Sequence, residues 1–138
     1  MNLFHGTNKL YAKKIKKGKI DVNLGGGELG KGFYIGDLPH QAFNWAWHRY
    51  KKNKAVVKLE INDDDIILQK PLCLNYMETN LYRRKIKIRN QTKTFLFNEN
   101  LVWAPIVGKN IPNFNQIKIE SDSAENLVNS SLVIKTIL

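Results

Sequence analysis

Five glycines fall within eight residues, at Gly25, Gly26, Gly27, Gly30 and Gly32, and Phe33-Tyr34-Ile35 follows at once. Glycine in a helix interior costs about 1 kcal/mol relative to alanine, so this density rules out a helix there. Residues 24–32 read as a loop that runs into a strand, stopped by Gly36-Asp37. That order excludes two glycine-built nucleotide sites. Gly25, Gly27 and Gly30 have the G-x-G-x-x-G spacing, but the dinucleotide fingerprint needs a helix to open there. No Gly-Lys-Ser/Thr follows any glycine pair, so a phosphate-binding P-loop is absent too.

The elements around this loop are short. Leu3-Phe4 reads as a buried strand running into a His5-Gly6-Thr7 corner. Thr7 or Asn8 can cap a helix that ends at Gly18, with Tyr11 and Ile15 on one face and five lysines on the rest. Asp37 is expected to cap a second helix, Pro39 in its first turn, running to about Lys52. Its broad apolar surface, with Phe43, Trp45 and Trp47, predicts packing against a sheet. Residues 55–61 alternate as a strand, Asp63-Asp64-Asp65 reads as a turn, and Ile66-Ile67-Leu68 as a strand. Asn75 with Glu78 is a capping box for a helix from Tyr76 to about Lys85. Residues 85–89 suit a strand or a helix end. Strands are expected within 94–97 and 101–107, a loop over 110–115, and a strand over 116–119. Ser121 or Asp122 caps a short helix, and residues 132–134 form a closing strand. The sum is a single α+β domain over residues 1–138.

Lys and Arg number 22 against 12 Asp and Glu, a net charge of +10. Such a charge speaks about partners: nucleic acid, acidic proteins or an anionic ligand. The plain alternative is a solvated basic surface. Residues 83–89, with five positive charges and no acidic one, divide the same way between a phosphate track and a solvated face with Ile86 and Ile88 inward. No apolar run reaches membrane-spanning length, no signal-peptide stretch opens the chain, and Cys73 has no partner for an internal disulfide. These features predict a cytoplasmic protein.

Metal-ligand spacing is missing. There is no C-x-x-C, and His40 and His48 sit eight apart, about two helical turns. No metal is expected. His5 and Tyr34 are more informative, because each stands on a short strand beside glycines. A flat ligand could lie against the tyrosine ring while the imidazole and a bare glycine amide bind its polar edge.

Phe4-His5-Gly6-Thr7 followed by Gly30-Lys31-Gly32-Phe33-Tyr34-Ile35-Gly36 resembles the first two motifs of the ADP-ribosyltransferase superfamily. The likeness is to small bacterial domains with a His-Gly-Thr start and a Gly-x-Gly-Phe-Tyr second motif. Residues 103–108 are similar to the Gly-Pro-containing strand of that group. Asn115-Gln116-Ile117-Lys118-Ile119 before Ala124-Glu125-Asn126-Leu127 is similar to its third motif, usually Asp-Gln-Ile before a short helix. The resemblance covers roughly residues 3–128.

It implies an ADP-ribosyltransferase-like fold, two small packed sheets around an NAD cleft with flanking helices. His5, Tyr34 and Gln116 would be the catalytic residues. His5 would bond the nicotinamide-side ribose and the Gly6 backbone the nicotinamide amide. Thr7 would assist the adenosine side, with Gly32 lining the same site. Tyr34 would stack on the nicotinamide, Phe33 would support it from behind, and Gln116 would contact the ribose 2′-hydroxyl. The implied function is NAD-dependent mono-ADP-ribosyl transfer with release of nicotinamide, by a bacterial toxin or phage-defence effector. Its implied partners are NAD, a nucleic-acid acceptor on the basic surface, and an antitoxin or inhibitor protein. The chain departs from the pattern at Gln116, where many of these transferases carry glutamate, and at Asn115, commonly Asp. Glu120 or Glu99 is the remaining source of negative charge.

Overall fold

The computed structural model describes residues 1–108 and 113–138. Seven strands, β1 (Asn2–Asn8), β2 (Phe33–Gly36), β3 (Lys54–Glu60), β4 (Leu72–Cys73), β5 (Leu101–Pro105), β6 (Asn115–Ile119) and β7 (Ile134–Ile137), alternate with five helices. These are α1 (Lys9–Lys16), α2 (Pro39–Tyr50), α3 (Asp63–Leu68), α4 (Tyr76–Ile88) and α5 (Asp122–Asn129). The strands form one sheet in the order β4-β5-β6-β2-β1-β3-β7, antiparallel except for the β4–β5 pair.

The α+β class is therefore present, but the expected pair of packed sheets is one sheet with a thin seam. β1 and β3 share seven register pairs and β2 and β6 share four. Between β1 and β2 there is a single pair, Phe4↔Gly36. The two halves meet edge to edge, not face to face. Alternation of apolar residues decides which face of a strand is buried; it does not decide which strand lies beside it.

Directly paired residues project from the same face of a sheet. One face carries Leu3, Val57, Leu59, Phe33, Ile35, Ile117 and Ile119. Ala12 and Ile15 of α1, Ile66 of α3, and Ala124 and Val128 of α5 close over it. Val57 and Leu59 lose all exposure, and each such side chain contributes about 1.5–3 kcal/mol by burial. The other face carries a smaller cluster, Leu29, Leu74, Val102 and Ala104, with Tyr34, Tyr82 and Phe97 against it.

Several helix ends follow their local signals. Asn8 accepts from the Tyr11 amide, Gly18 takes a left-handed φ of 70° after α1, and the Asn75–Glu78 capping box is complete. Other elements differ from expectation. Asp63-Asp64-Asp65 and Ile66-Ile67-Leu68 form one helix, capped by Asn62, because three carboxylates in a first turn suit the positive helix end. Residues 94–97 are irregular, and 85–88 finish α4, with Ile86 buried but Ile88 exposed. The closing strand lies at Ile134–Ile137, two residues later than expected. Of the expected 110–115 loop, residues 110–112 lie outside the described residues, and Asn115 already opens β6. Asp37 does not cap α2; Leu38 occupies that position, and the Asp37 carboxylate accepts from the backbone and side-chain amides of Asn115.

α2 departs furthest from expectation. It lies on β1 and β3, but through Ala46 and the Ala42 backbone, not through its aromatic residues. A Cβ on Gly6 would collide with the Ala42 carbonyl, so the bare Gly6 lets the helix backbone approach. Phe43, Trp45 and Trp47 face outward.

Candidate functional site

The row Phe4–Gly36–Gln116–Ala104 crosses four adjacent strands at the seam. The row beside it is Tyr34–Lys118–Val102–Leu72. Tyr34, Gln116 and Lys118 thus share one face, the face on which α2 rests over Gly6. Gln116 is only 7% exposed, yet among the described residues its Nε2 has no hydrogen-bond partner. Gly36, opposite it, has open space where a side chain would stand, the Asn115 carbonyl being 3.6 Å from a built Cβ. A buried donor left unpaired costs roughly 1–3 kcal/mol, so this carboxamide is held at a cost that a ligand acceptor would relieve.

His5 lies on the opposite face and is tied to Tyr34 through the backbone. Its side chain leaves β1 on the Leu3 side, and the ring leans on Phe33 with centroids 4.3 Å apart. Its Nδ1 lies 2.6 Å from the Tyr34 carbonyl oxygen, so the imidazole bridges the place where the two strands part. A carbonyl only accepts, so Nδ1 carries the proton. Burial pushes the pKa down to about 4, against the opposing pull of that carbonyl. At neutral pH the ring is therefore uncharged and Nε2 presents a lone pair. Phe33 supports this imidazole, not the Tyr34 ring as expected, because successive strand residues point to opposite faces.

The Tyr34 hydroxyl donates to the Gly30 carbonyl at 2.6 Å and accepts from the Leu29 amide at 3.1 Å. Gly27 lies against its ring. Gly30, with φ of 94°, makes the turn that a side chain would resist. Burial raises the phenol's pKa well above its ordinary value, so it remains a neutral donor. Gly32 packs against Lys118 and donates to the Gly25 carbonyl. Thr7 is buried opposite Ala55.

Lys118 and Glu120 are the residues that sequence reasoning missed as a unit. Lys118 is fully buried; its Nζ lies 2.7 Å from the Glu120 carboxylate and donates to the Leu29 carbonyl at 2.7 Å. Burial lowers its pKa and Glu120 opposes the shift. Glu120 also accepts from the amides of Phe97, Asn98 and Glu99. Its carboxylate is spent on structure, and the Glu99 side chain is exposed. The signal was present in the sequence: Gln116, Lys118 and Glu120 alternate with Ile117 and Ile119, a polar row on a strand buried on both faces. Glu28, in the glycine loop, pairs with Arg83 at 3.2 Å, while its other oxygen is buried without a partner. Burial raises the pKa of this carboxyl, and Arg83 works against the rise.

Two open grooves lie elsewhere. One of about 620 Å³ is lined by His40, Phe43, Asn44, Trp47 and Lys54, and a second of about 410 Å³ adjoins it at Ala55, Val56 and Leu138. Among the described residues no group of three or more His, Cys, Asp or Glu side chains could hold a metal ion. No helix among them is long and apolar enough to cross a membrane.

No family model matches the chain. It is similar to an uncharacterized protein of Methanocaldococcus jannaschii, 35% identical over 69 residues that cover 44% of this chain and 32% of that protein. The match spans about a third of that relative's length.

Proposed function

We propose that the Gln116 face and the β1–β2 seam bind NAD, and that the chain is a mono-ADP-ribosyltransferase of an ADP-ribosyltransferase-like fold. The observation that carries this reading is the buried Gln116 side chain, its Nε2 without a partner among the described residues and its backbone paired with the bare Gly36. Its Nε2 can donate to a ligand acceptor such as a ribose oxygen. The uncharged His5 stands on the other side of the seam, so a dinucleotide threaded through the seam would meet its Nε2 as an acceptor for a ribose hydroxyl.

In the reaction the bond between C1′ and the nicotinamide nitrogen breaks, and its electron pair leaves with nicotinamide. An acceptor nucleophile forms the new bond to C1′ and gives up its proton. Gln116 and His5 contribute by holding the ribose, and positioning of this kind accounts for much of enzymatic acceleration. The net charge of +10 favours a nucleic-acid acceptor. An effector role against a cell or a phage, restrained by an inhibitor protein, belongs to the same proposal.

One observation favours a second reading. Glu120 is tied to Lys118 and three amides, so the carboxylate nearest Gln116 along β6 is not free to stabilise a developing cation. The protein would then bind NAD or ADP-ribose without turning it over. Nicotinamide release from NAD, measured for wild type and Gln116→Met, separates the two. The transferase reading expects release by wild type and its loss in the variant. NAD-dependent thermal protection without release supports the binding module. Neither release nor protection refutes both.

A further inference from the structure

A helix of twelve residues that keeps only Ala46 buried is unusual on a domain with room to cover it. On α2, Phe43 and Trp45 are each 52% exposed and Trp47 is 42% exposed. Patches of large exposed apolar groups mark binding surfaces. This one has a specific construction, because each ring stands beside a cation. Lys54 Nζ lies 5.0 Å from the Trp47 ring centre and 5.2 Å from that of Phe43. Lys51 Nζ lies 5.8 Å from Trp47, and the Arg49 guanidinium 5.6 Å from Trp45. His40, Phe43, Asn44 and Trp47 follow i, i+3, i+4 and i+7, so they line one stripe of the helix, the groove of about 620 Å³. Between Leu38 and Leu59 there is no Asp or Glu, while Arg49, Lys51, Lys52, Lys54 and Lys58 are present.

We propose that this face of α2, with Lys54 at the start of β3, binds an unpaired stretch of RNA. Bases stack on Phe43 and Trp47, and the phosphates between them meet Lys51 and Lys54. Alternating rings and cations is the arrangement that single-stranded nucleic acid requires: a flat apolar face for each base, a positive charge for each link. A duplex hides its bases and would use only the cations. A bilayer surface needs a dry apolar stripe with the cations set apart on the opposite face. Here the ammonium groups sit over the rings themselves. A second copy of this face would bring like charges together across the same surface. The surface stands apart from the NAD reading, because it needs neither Gln116 nor the seam.

The test is fluorescence anisotropy of a labelled oligouridylate with the full chain, in the absence of NAD, over a series of salt concentrations. Wild type should bind it more tightly than a duplex DNA of equal length, with quenching of tryptophan emission. Phe43→Ala with Trp47→Ala should weaken binding by roughly thirtyfold or more, from two stacking losses of the size seen per base. Lys51→Gln with Lys54→Gln should flatten the slope of log Kobs against log salt by about 1.4, two phosphate contacts on a single strand. Phe43, Trp47 and Lys51 are exposed and Lys54 half-buried, and thermal melts of each variant matching wild type show that a lost signal is not misfolding. Binding that ignores the loss of Phe43 and Trp47, or that prefers duplex DNA, overturns the proposal. So does ring-dependent binding to phosphatidylserine vesicles but not to the oligomer, or ring-dependent self-association that leaves RNA binding intact.

Discussion

Replacing Lys118 by methionine is the sharpest probe of how the site is held. Lys118 Nζ is buried, 2.7 Å from the Glu120 carboxylate and 2.7 Å from the Leu29 carbonyl. Methionine keeps the length and apolar stem and removes the charge. The Glu120 anion then stays buried with its three amide donors but no cation. Breaking one side of a buried pair costs roughly 3–5 kcal/mol, and the surviving amide bonds place this case near 3. For a chain of 138 residues that corresponds to a fall in Tm of roughly 10 °C. Neutralising the stranded carboxylate should restore part of the loss. Lys118→Met with Glu120→Gln is expected to be more stable than Lys118→Met alone by about 1–2 kcal/mol. Urea denaturation of the four species forms the double-mutant cycle. A single variant that loses less than about 1 kcal/mol, or a double variant less stable than the single, would refute the reading of Lys118 and Glu120 as a mutually dependent buried pair.

Three further outcomes follow from the same geometry. The His5 pKa is lowered from 6.5 to about 4, so the unfolded chain takes up this proton first. Stability should be flat above pH 6.5 and should fall by about 3 kcal/mol as pH drops to about 4, a loss that His5→Gln removes in denaturation curves across that window. Tyr34→Phe deletes the hydroxyl that holds Leu29 and Gly30, and should speed hydrogen exchange of the Leu29 amide by an opening cost lowered roughly 1–3 kcal/mol. Gly6→Ala sets a methyl against the Ala42 carbonyl and should cost about 1–3 kcal/mol, read as a lower Tm.

Much of the local structure was legible because its causes are local. Asn8, Asn75 and Ser121 cap the helices that follow them, through side chains bonded two or three residues on. The strand after the glycine loop could be read from Phe33-Tyr34-Ile35, and no helix opens there. Asp37 misled for a matching reason: its carboxylate is drawn to Asn115, 78 residues away, a pull invisible from its neighbours. Of the candidate site, the sequence named His5, Tyr34 and Gln116, and pairing placed Gln116 one row from Tyr34. It did not show that His5 meets the Tyr34 carbonyl instead of the ring, because strands that part at a seam leave no periodic trace.

What the amino-acid order settled alone was where the backbone could coil, extend or turn, since those preferences act over a few residues. Tertiary pairing decided which polar groups went inside and which rings stayed out. Lys118 is buried because Glu120 and the Leu29 carbonyl meet it there. The α2 aromatics face solvent because a glycine on β1 draws the other side of that helix down by its backbone. Both results depend on contacts between distant residues, and only the assembled sheet creates them.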